Sequence, residues 1–472
     1  MIRFKHFSAM ALVVMMLCVF ADVLWPHVGL RVAARAFLGT YLLLEWSNLA
    51  GNARVILVVA AAMSAGYVAL FADPLAALTR AADTAVFFAA FFANQFFLRE
   101  AARTSPMVQR CASFFVDQPP SKRYALLTLG GYLFGIIVNL GVLSLLGQMI
   151  VKRNTLQAAG GNSEIHHWRQ RRMSTALLRG FAVTPLASPL SLSLAVVLST
   201  LPSLKWSIMA ASGFACGTLL LVLGWVFDRV TAPRHLAGKL GPVALRHDYR
   251  SLLGIVAIVL CTLLLAKGLE RFVGASPSRA ILLAVPTVGM VWLSWGYLKR
   301  FPHLAVWLIA RRIRDRATIT FPAFRSEVAV LSGAGFAGTL FTAFVPPDVL
   351  SAALTSHLLP TPLLPVALLL AMVGAGLLGI NPIVLATIGA ASLGAVHDSD
   401  LPKELCALAL MAGWALAINS SSMTASAMLL ADVVKLPSPR RLMGWNAAYC
   451  VTSTLLLAGL LAAASVVQQT FG

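Results

Sequence analysis

The stretch Gly180-Phe-Ala-Val-Thr-Pro-Leu-Ala-Ser-Pro-Leu-Ser-Leu-Ser193 aligns without a gap on Gly413-Trp-Ala-Leu-Ala-Ile-Asn-Ser-Ser-Ser-Met-Thr-Ala-Ser426, an offset of 233 residues (413 − 180). One glycine, one alanine and two serines are identical, and Phe/Trp, Val/Leu, Leu/Met and Ser/Thr pairs match in character. Each stretch begins as an apolar helix pattern and dissolves midway into proline, asparagine and hydroxyl residues. Paired interruptions of this kind in two halves of a hydrophobic chain point to the binding site of a duplicated secondary transporter.

Composition sets the solvent. Of 472 residues, 59% are hydrophobic and 11% charged, and mean hydropathy is +0.83. Soluble domains carry roughly a quarter charged residues, so the sequence describes a polytopic all-α membrane protein. Apolar runs of the length needed to cross a bilayer recur from Ala9 to the C-terminus. The N-terminus (Arg3, Lys5, then a long apolar run) reads as a retained first span and not a cleaved leader. The six cysteines stand singly, which suggests neither a disulfide framework nor a transition-metal site. The net charge of +20 is explained by basic cytoplasmic loops, without nucleic acid as a partner.

Charge also orders the spans. With the N-terminus inside, spans at 9–28, 33–49, 55–72 and 80–98 place Arg99, Arg103, Arg110, Lys122 and Arg123 in the cytoplasm. The next apolar segment, 124–150, is broken at Asn139 and followed by a second basic loop (Lys152, Arg153, Arg169, Arg171, Arg172). Two consecutive basic loops on one side make 124–150 a re-entrant hairpin, which is tolerated where backbone is buried in protein or lines a cavity. A broken span at 176–202 follows, then 205–227, a basic loop at 228–250, spans 251–273 and 277–297, and seven Lys/Arg in 298–325. Span 326–346 leads to a second hairpin, 362–395, broken at Asn381-Pro382, then an acidic loop at 396–404. The broken span 405–432 and a last span at 444–468 end the chain outside. This arrangement of eleven spans and two oppositely facing hairpins puts 29 of the 37 Lys/Arg in the cytoplasm of a bacterial inner-membrane protein. It divides the chain into N-terminal scaffold spans (1–76), a first repeat (77–227), a connecting region (228–325) with an amphipathic interfacial segment at 303–325, and a second, inverted repeat (326–472).

The candidate substrate and ion ligands are Asn139 and Asn381 at the hairpin tips, Thr184, Ser188 and Ser191 in the first broken span, and Asn419, Ser420, Ser421, Ser422 and Thr424 in the second. Such residues also serve simply to pack membrane helices closely; their paired placement is what favours a site. Pro185, Pro189 and Pro382 lack an amide hydrogen and open the helix beside these clusters. Arg179 is expected to snorkel to the inner surface. Asp22, Glu45, Asp83, Lys267 and Asp432 fall toward span ends within reach of water, and His166, His167, His357 and His397 fall in loops. No carboxylate sits at a predicted span centre, which favours Na+ held by neutral oxygens over H+ as coupling ion.

The layout from about 77 to 468 resembles the ion transporter superfamily, which includes the divalent-anion:sodium symporters. Those symporters mark their hairpin tips with Ser-Asn-Thr; here the tips are Val138-Asn139-Leu140 and Ile380-Asn381-Pro382, keeping only the asparagine. The resemblance implies an elevator-type carrier of a small, anionic, organic-acid-like solute, and a homodimer. No catalytic residue and no cofactor are expected. Export or antiport on the same fold stays open, and a membrane enzyme or a channel is the rival of a different class.

Overall fold

A computed structural model describes residues 2–231, 249–345, 349, 360–396 and 401–471, and the described residues form helices throughout. Among the described residues ten helices are long and apolar enough to cross a membrane, joined by shorter apolar helices, so the chain is a multi-pass membrane protein. The span expected at 33–49 is the helix Val28–Glu45, but it is not among those ten: Arg31, Arg35 and Glu45 interrupt its apolar surface. Arg31 pairs with Asp22 and Arg35 with Asp83. Glu45 does not reach water as expected; it is buried and accepts a 2.6 Å hydrogen bond from Ser8.

The segment 124–150 forms two helices, Pro120–Val138 and Gly141–Arg153, folded back at Asn139. The basic loop expected before it is itself helical, as Gln95–Thr104 and Pro106–Val116. Both ends of this hairpin lie together: Arg153 pairs with Asp117 at 2.9 Å, and Asn154 donates to the carbonyl of His166. The following crossing runs as Ser163–Ala182, Thr184–Ala187 and Leu192–Thr200. Asn162 caps its start by accepting from the amides of Glu164 and Ile165, as an N-cap asparagine does. His166 and His167 belong to this helix and not to a loop.

Trp206–Thr231 returns alongside, with Arg172 paired to Asp228 at one level and Gly213 against the carbonyl of Leu186 further along. The second half contains the helix Arg325–Phe344, a hairpin of Leu364–Leu377 and Pro382–Ala395, a crossing of Lys403–Ser420 and Ala425–Val433, and the long C-terminal helix Pro439–Phe471. The first hairpin has its base at the start of the first crossing. The second has its base at that crossing's far end, where a Cβ at Gly394 would lie 2.4 Å from the carbonyl of Thr200. The two hairpins therefore approach that crossing from opposite ends.

Each hairpin packs on its own crossing through a glycine, and the two glycines are the first residues of the aligned stretches. A Cβ at Gly180 would fall 2.0 Å from the Thr128 carbonyl, and one at Gly413 would fall 2.4 Å from the Met372 Cβ. Loops expected on one face meet one another: Gln170 donates to the Val434 carbonyl, and Arg441 contacts His167. The amphipathic segment is the helix Ala305–Ala323, whose Arg312 and Arg316 turn inward to Glu100 while Val306 and Trp307 stay exposed. His357 and His397 lie outside the described residues.

Candidate functional site

The first crossing breaks for a covalent reason. Pro185 has no N–H to offer the carbonyl of Phe181, and the Thr184 hydroxyl donates to that carbonyl instead, at 2.7 Å. The helix stops at Ser188, whose backbone is extended (φ −86°, ψ 125°), and restarts at Leu192 with Ser191 as its cap. The second crossing breaks without proline. Its Ser-Ser-Ser-Met run offers side-chain oxygens that compete with the helix for backbone amides, and Ser421 takes the same extended geometry (φ −99°, ψ 126°) before Thr424 caps the restart.

Four hydrogen bonds of the first break recur in the second at the 233-residue offset. The amide of Ser188 donates to the Thr184 carbonyl at 3.0 Å, and that of Ser421 to the Ala417 carbonyl at 3.0 Å. Ser188 Oγ accepts from the Leu190 amide and Ser421 Oγ from the Met423 amide, each at 3.2 Å. Ser191 Oγ accepts from the Leu194 amide and Thr424 Oγ1 from the Ala427 amide, each at 3.3 Å. Ser193 and Ser426 bond back to Ser191 and Thr424, respectively.

Carbonyls freed by the breaks find partners elsewhere, as buried carbonyls must. The Pro185 carbonyl accepts from Ser191 and Ser193, and that of Ala187 from the Tyr132 hydroxyl. The Asn419 carbonyl accepts from Asn446 Nδ2 at 2.8 Å and from the Cys450 thiol.

Asn446 also joins this region to Arg179. That arginine is 5% exposed and does not snorkel. It donates to Asn446 Oδ1 at 2.7 Å and to the Tyr124 hydroxyl at 2.9 Å, with its guanidinium 4.2 Å from the Tyr449 ring centroid. Removing a cation from water costs several kcal/mol unless its donors and its charge are satisfied; here amide, phenol and aromatic faces do that work.

Both hairpin tips and both breaks close on one cavity of about 410 Å³. Its walls include Asn139, Thr184, Pro185, Ser188, Ser191, Asn381, Pro382, Ser421 and Thr424, nine of the residues singled out from sequence. Asn419, Ser420, Ser422 and Pro189 do not line it: the Asn419 side chain is buried against Asn446, and Ser420 bonds its own helix at Leu416. Gln95, Ser193, Ser326, Glu327 and Ser426 line it and were not anticipated. Ser193 and Ser426 sit two residues after each cap, so the repeat itself could have indicated them. Gln95 accepts a 2.8 Å hydrogen bond from the Asn139 amide and has no signal in sequence, because the contact spans 44 residues.

The tips are built differently. Asn139 takes φ 54°, ψ −137°, a turn conformation that favours glycine, and its side-chain oxygen accepts from the Leu140 amide. At the second tip Gly379 supplies the positive φ (83°), and Asn381 with ordinary φ caps the next helix by accepting from the Ile383 amide. Four helices begin at the cavity, at Leu140–Gly141, Asn381–Pro382, Ser191–Leu192 and Thr424–Ala425. Their positive dipole ends favour negative charge between them, although at Asn381–Pro382 no amide is free, since Pro382 has none and those of Ile383 and Val384 donate to Asn381.

These features define a multi-pass membrane protein with paired broken helices around one polar-lined cavity. The fold is similar to that of the YdaH transporter of Alcanivorax borkumensis, whose crystal structure is described as showing an unusual topology. The two share 14% sequence identity over 89% of this chain and 97% of that one, with a TM-score of 0.47. No protein-family model matches the sequence, and no curated protein matches it.

Proposed function

We propose that the chain is a secondary active transporter that carries a small, organic-acid-like anion by alternating access of the elevator type, coupled to Na+. The observation that carries the proposal is the pair of broken crossings, with matching extended residues and caps, facing one cavity. A volume of about 410 Å³ suits a small solute, and the four helix N-termini at its wall favour negative charge. Asn139, Thr184, Ser188, Ser191, Asn381, Ser421 and Thr424 are the proposed ligands of solute and ion. Hard cations accept hydroxyl, amide and carbonyl oxygens of this kind.

In this proposal the two hairpins are re-entrant, and 77–227 and 326–472 are inverted repeats of the ion transporter superfamily layout. The N-terminus is cytoplasmic and the C-terminus external in a bacterial inner membrane, and the carrier is a homodimer. Treating the hairpins as re-entrant places the basic loops on one side, in keeping with the contacts among Asp117, Arg153, Arg172, Asp228, His167 and Arg441.

The test is a thermal-shift screen of detergent-purified protein against organic and inorganic anions, with and without sodium, followed by uptake into proteoliposomes. The expected result is a saturable anion-dependent stabilisation that grows with sodium, and saturable, sodium-driven uptake. Non-saturable flux, or turnover of an added substrate, would replace the carrier with a channel or an enzyme.

A further inference from the structure

Among the described residues one carboxylate lines the cavity, and no cation lies within ion-pairing distance of it. Glu327 lies in the first turn of the helix Arg325–Phe344 and lines the cavity beside Ser326. It forms no ion pair among the described residues, and the two arginines that act on its charge, Arg325 and Arg99, do so from beyond ion-pairing distance. The buried carboxylates among the described residues are satisfied: Glu100 by Arg103, Arg312 and Arg316, Asp228 by Arg172, and Glu45 by Ser8.

The charges around Glu327 are few, and none is ion-paired to it. Arg325, on its own helix, donates to the carbonyls of Asn48 and Pro322. Arg99, on Gln95–Thr104, lies over the Phe324 ring and has Glu100 beside it. Helix Val28–Glu45 brings Tyr41, whose hydroxyl donates to the Phe321 carbonyl, and Glu45. Helix Gly51–Leu70 brings Arg54, bonded to the Ser47 carbonyl, and Ala305–Ala323 brings Arg316. Helix Pro382–Ala395 carries no charged residue. On Leu75–Ala93, Arg80 and Asp83 lie toward the far end, since Thr84 bonds Thr339, about three turns beyond Glu327.

We propose that Glu327 is the cation site of this cavity, its carboxylate binding a proton or a sodium ion. The proposal rests on the transporter reading and deepens it. A bare carboxylate in the cavity repels the anion that the four helix N-termini attract. Neutralising it with a small monovalent cation removes the repulsion, so cation and anion each raise the other's affinity by the same factor. This is symport expressed as electrostatics, and it departs from the expectation of a sodium site built of neutral oxygens alone.

The experiment uses full-length protein reconstituted in proteoliposomes on a solid-supported membrane, with no solute present. Charge displacement is recorded after a jump from choline chloride to sodium chloride at constant ionic strength, and separately after a pH jump. Wild type is expected to give a saturable current in at least one arm, and the arm that responds identifies the cation. Glu327→Gln, nearly isosteric and neutral, is expected to reduce that current at least about tenfold, which corresponds to about 1.4 kcal/mol. Glu327→Asp is expected to keep the current while moving the half-saturating concentration at least about threefold, about 0.6 kcal/mol, and it serves as the test if the glutamine variant does not fold. Equal currents in wild type and Glu327→Gln, or no current in wild type in either arm, would overturn the proposal. An anion-dependent thermal shift that survives Glu327→Gln alongside an unchanged current would sink the cation site while leaving the transporter standing.

Discussion

At the first break Ser188 accepts from the amide two residues on and Ser191 from the amide three residues on; at the second, Ser421 and Thr424 do the same at matching distances. The hairpin tips facing them share no such register. Asn139 occupies the turn position itself with a left-handed φ, whereas at the other tip Gly379 does so and Asn381 is displaced into a cap. The breaks are constrained from both sides, because an extended segment inside a helix must satisfy each freed amide locally. The tips need only reverse the chain and present polar groups. Two asparagines that look equivalent in sequence therefore do different jobs.

The comparison breaks first at the glycines that hold hairpin to crossing. Gly180→Ala drives a methyl into the Thr128 carbonyl, a backbone atom that cannot step aside, and is expected to cost about 3 kcal/mol or more. Gly413→Ala meets the Met372 side chain and is expected to cost less, while Gly39→Ala, with open space around it, is expected to be neutral. Melting temperature and monodisperse yield in detergent measure all three; equal effects at Gly180 and Gly39 would contradict the packing described above.

The next largest effect separates the tips by function. Asn139→Ala and Asn381→Ala are each expected to cut uptake about tenfold to a hundredfold, the worth of one charge-assisted hydrogen bond, while the protein still inserts and folds. Asn139→Gly also loses the amide but relieves a backbone conformation costing about 1–3 kcal/mol. It is expected to melt higher than wild type while transporting poorly. A lower melting temperature for Asn139→Gly would show that the amide bonds to Gln95 and Leu140 outweigh the strain.

A smaller pair tests the symmetry of the breaks. Ser191→Ala and Thr424→Ala each remove one cap and are each expected to cost about 1 kcal/mol, read as near-equal falls in melting temperature. Markedly unequal falls would mean that the matched hydrogen bonds hide different roles. The smallest expected effect is Ser420→Ala, since that hydroxyl faces its own helix and not the cavity.

The crossings were legible because proline, asparagine and serine inside long apolar runs are expensive in lipid and stand out against leucine and alanine. The 233-residue register survived into the hydrogen bonds. The tips were placed but their registers were not: Asn139 and Asn381 were paired by residue type, while the backbone pairs Asn139 with Gly379. Glu327 has no signal in sequence, because the second residue of a span expected at 326–346 does not reveal how deep a cavity reaches. Sequence alone points Arg179 to the inner surface, because its partners, Asn446 and Tyr449, lie more than 260 residues away and carry no local signal.

Alternating access as proposed requires both broken crossings to face a single cavity that opens in turn to each side of the membrane. The direct test places one cysteine at Ser188 or Ser421, in protein whose six native cysteines have been replaced. Labelling with an impermeant maleimide is then compared in right-side-out and inside-out vesicles. Labelling of both positions from both sides, reduced by the transported anion, is the predicted result; labelling of each position from one side only would contradict a shared, alternately accessible cavity.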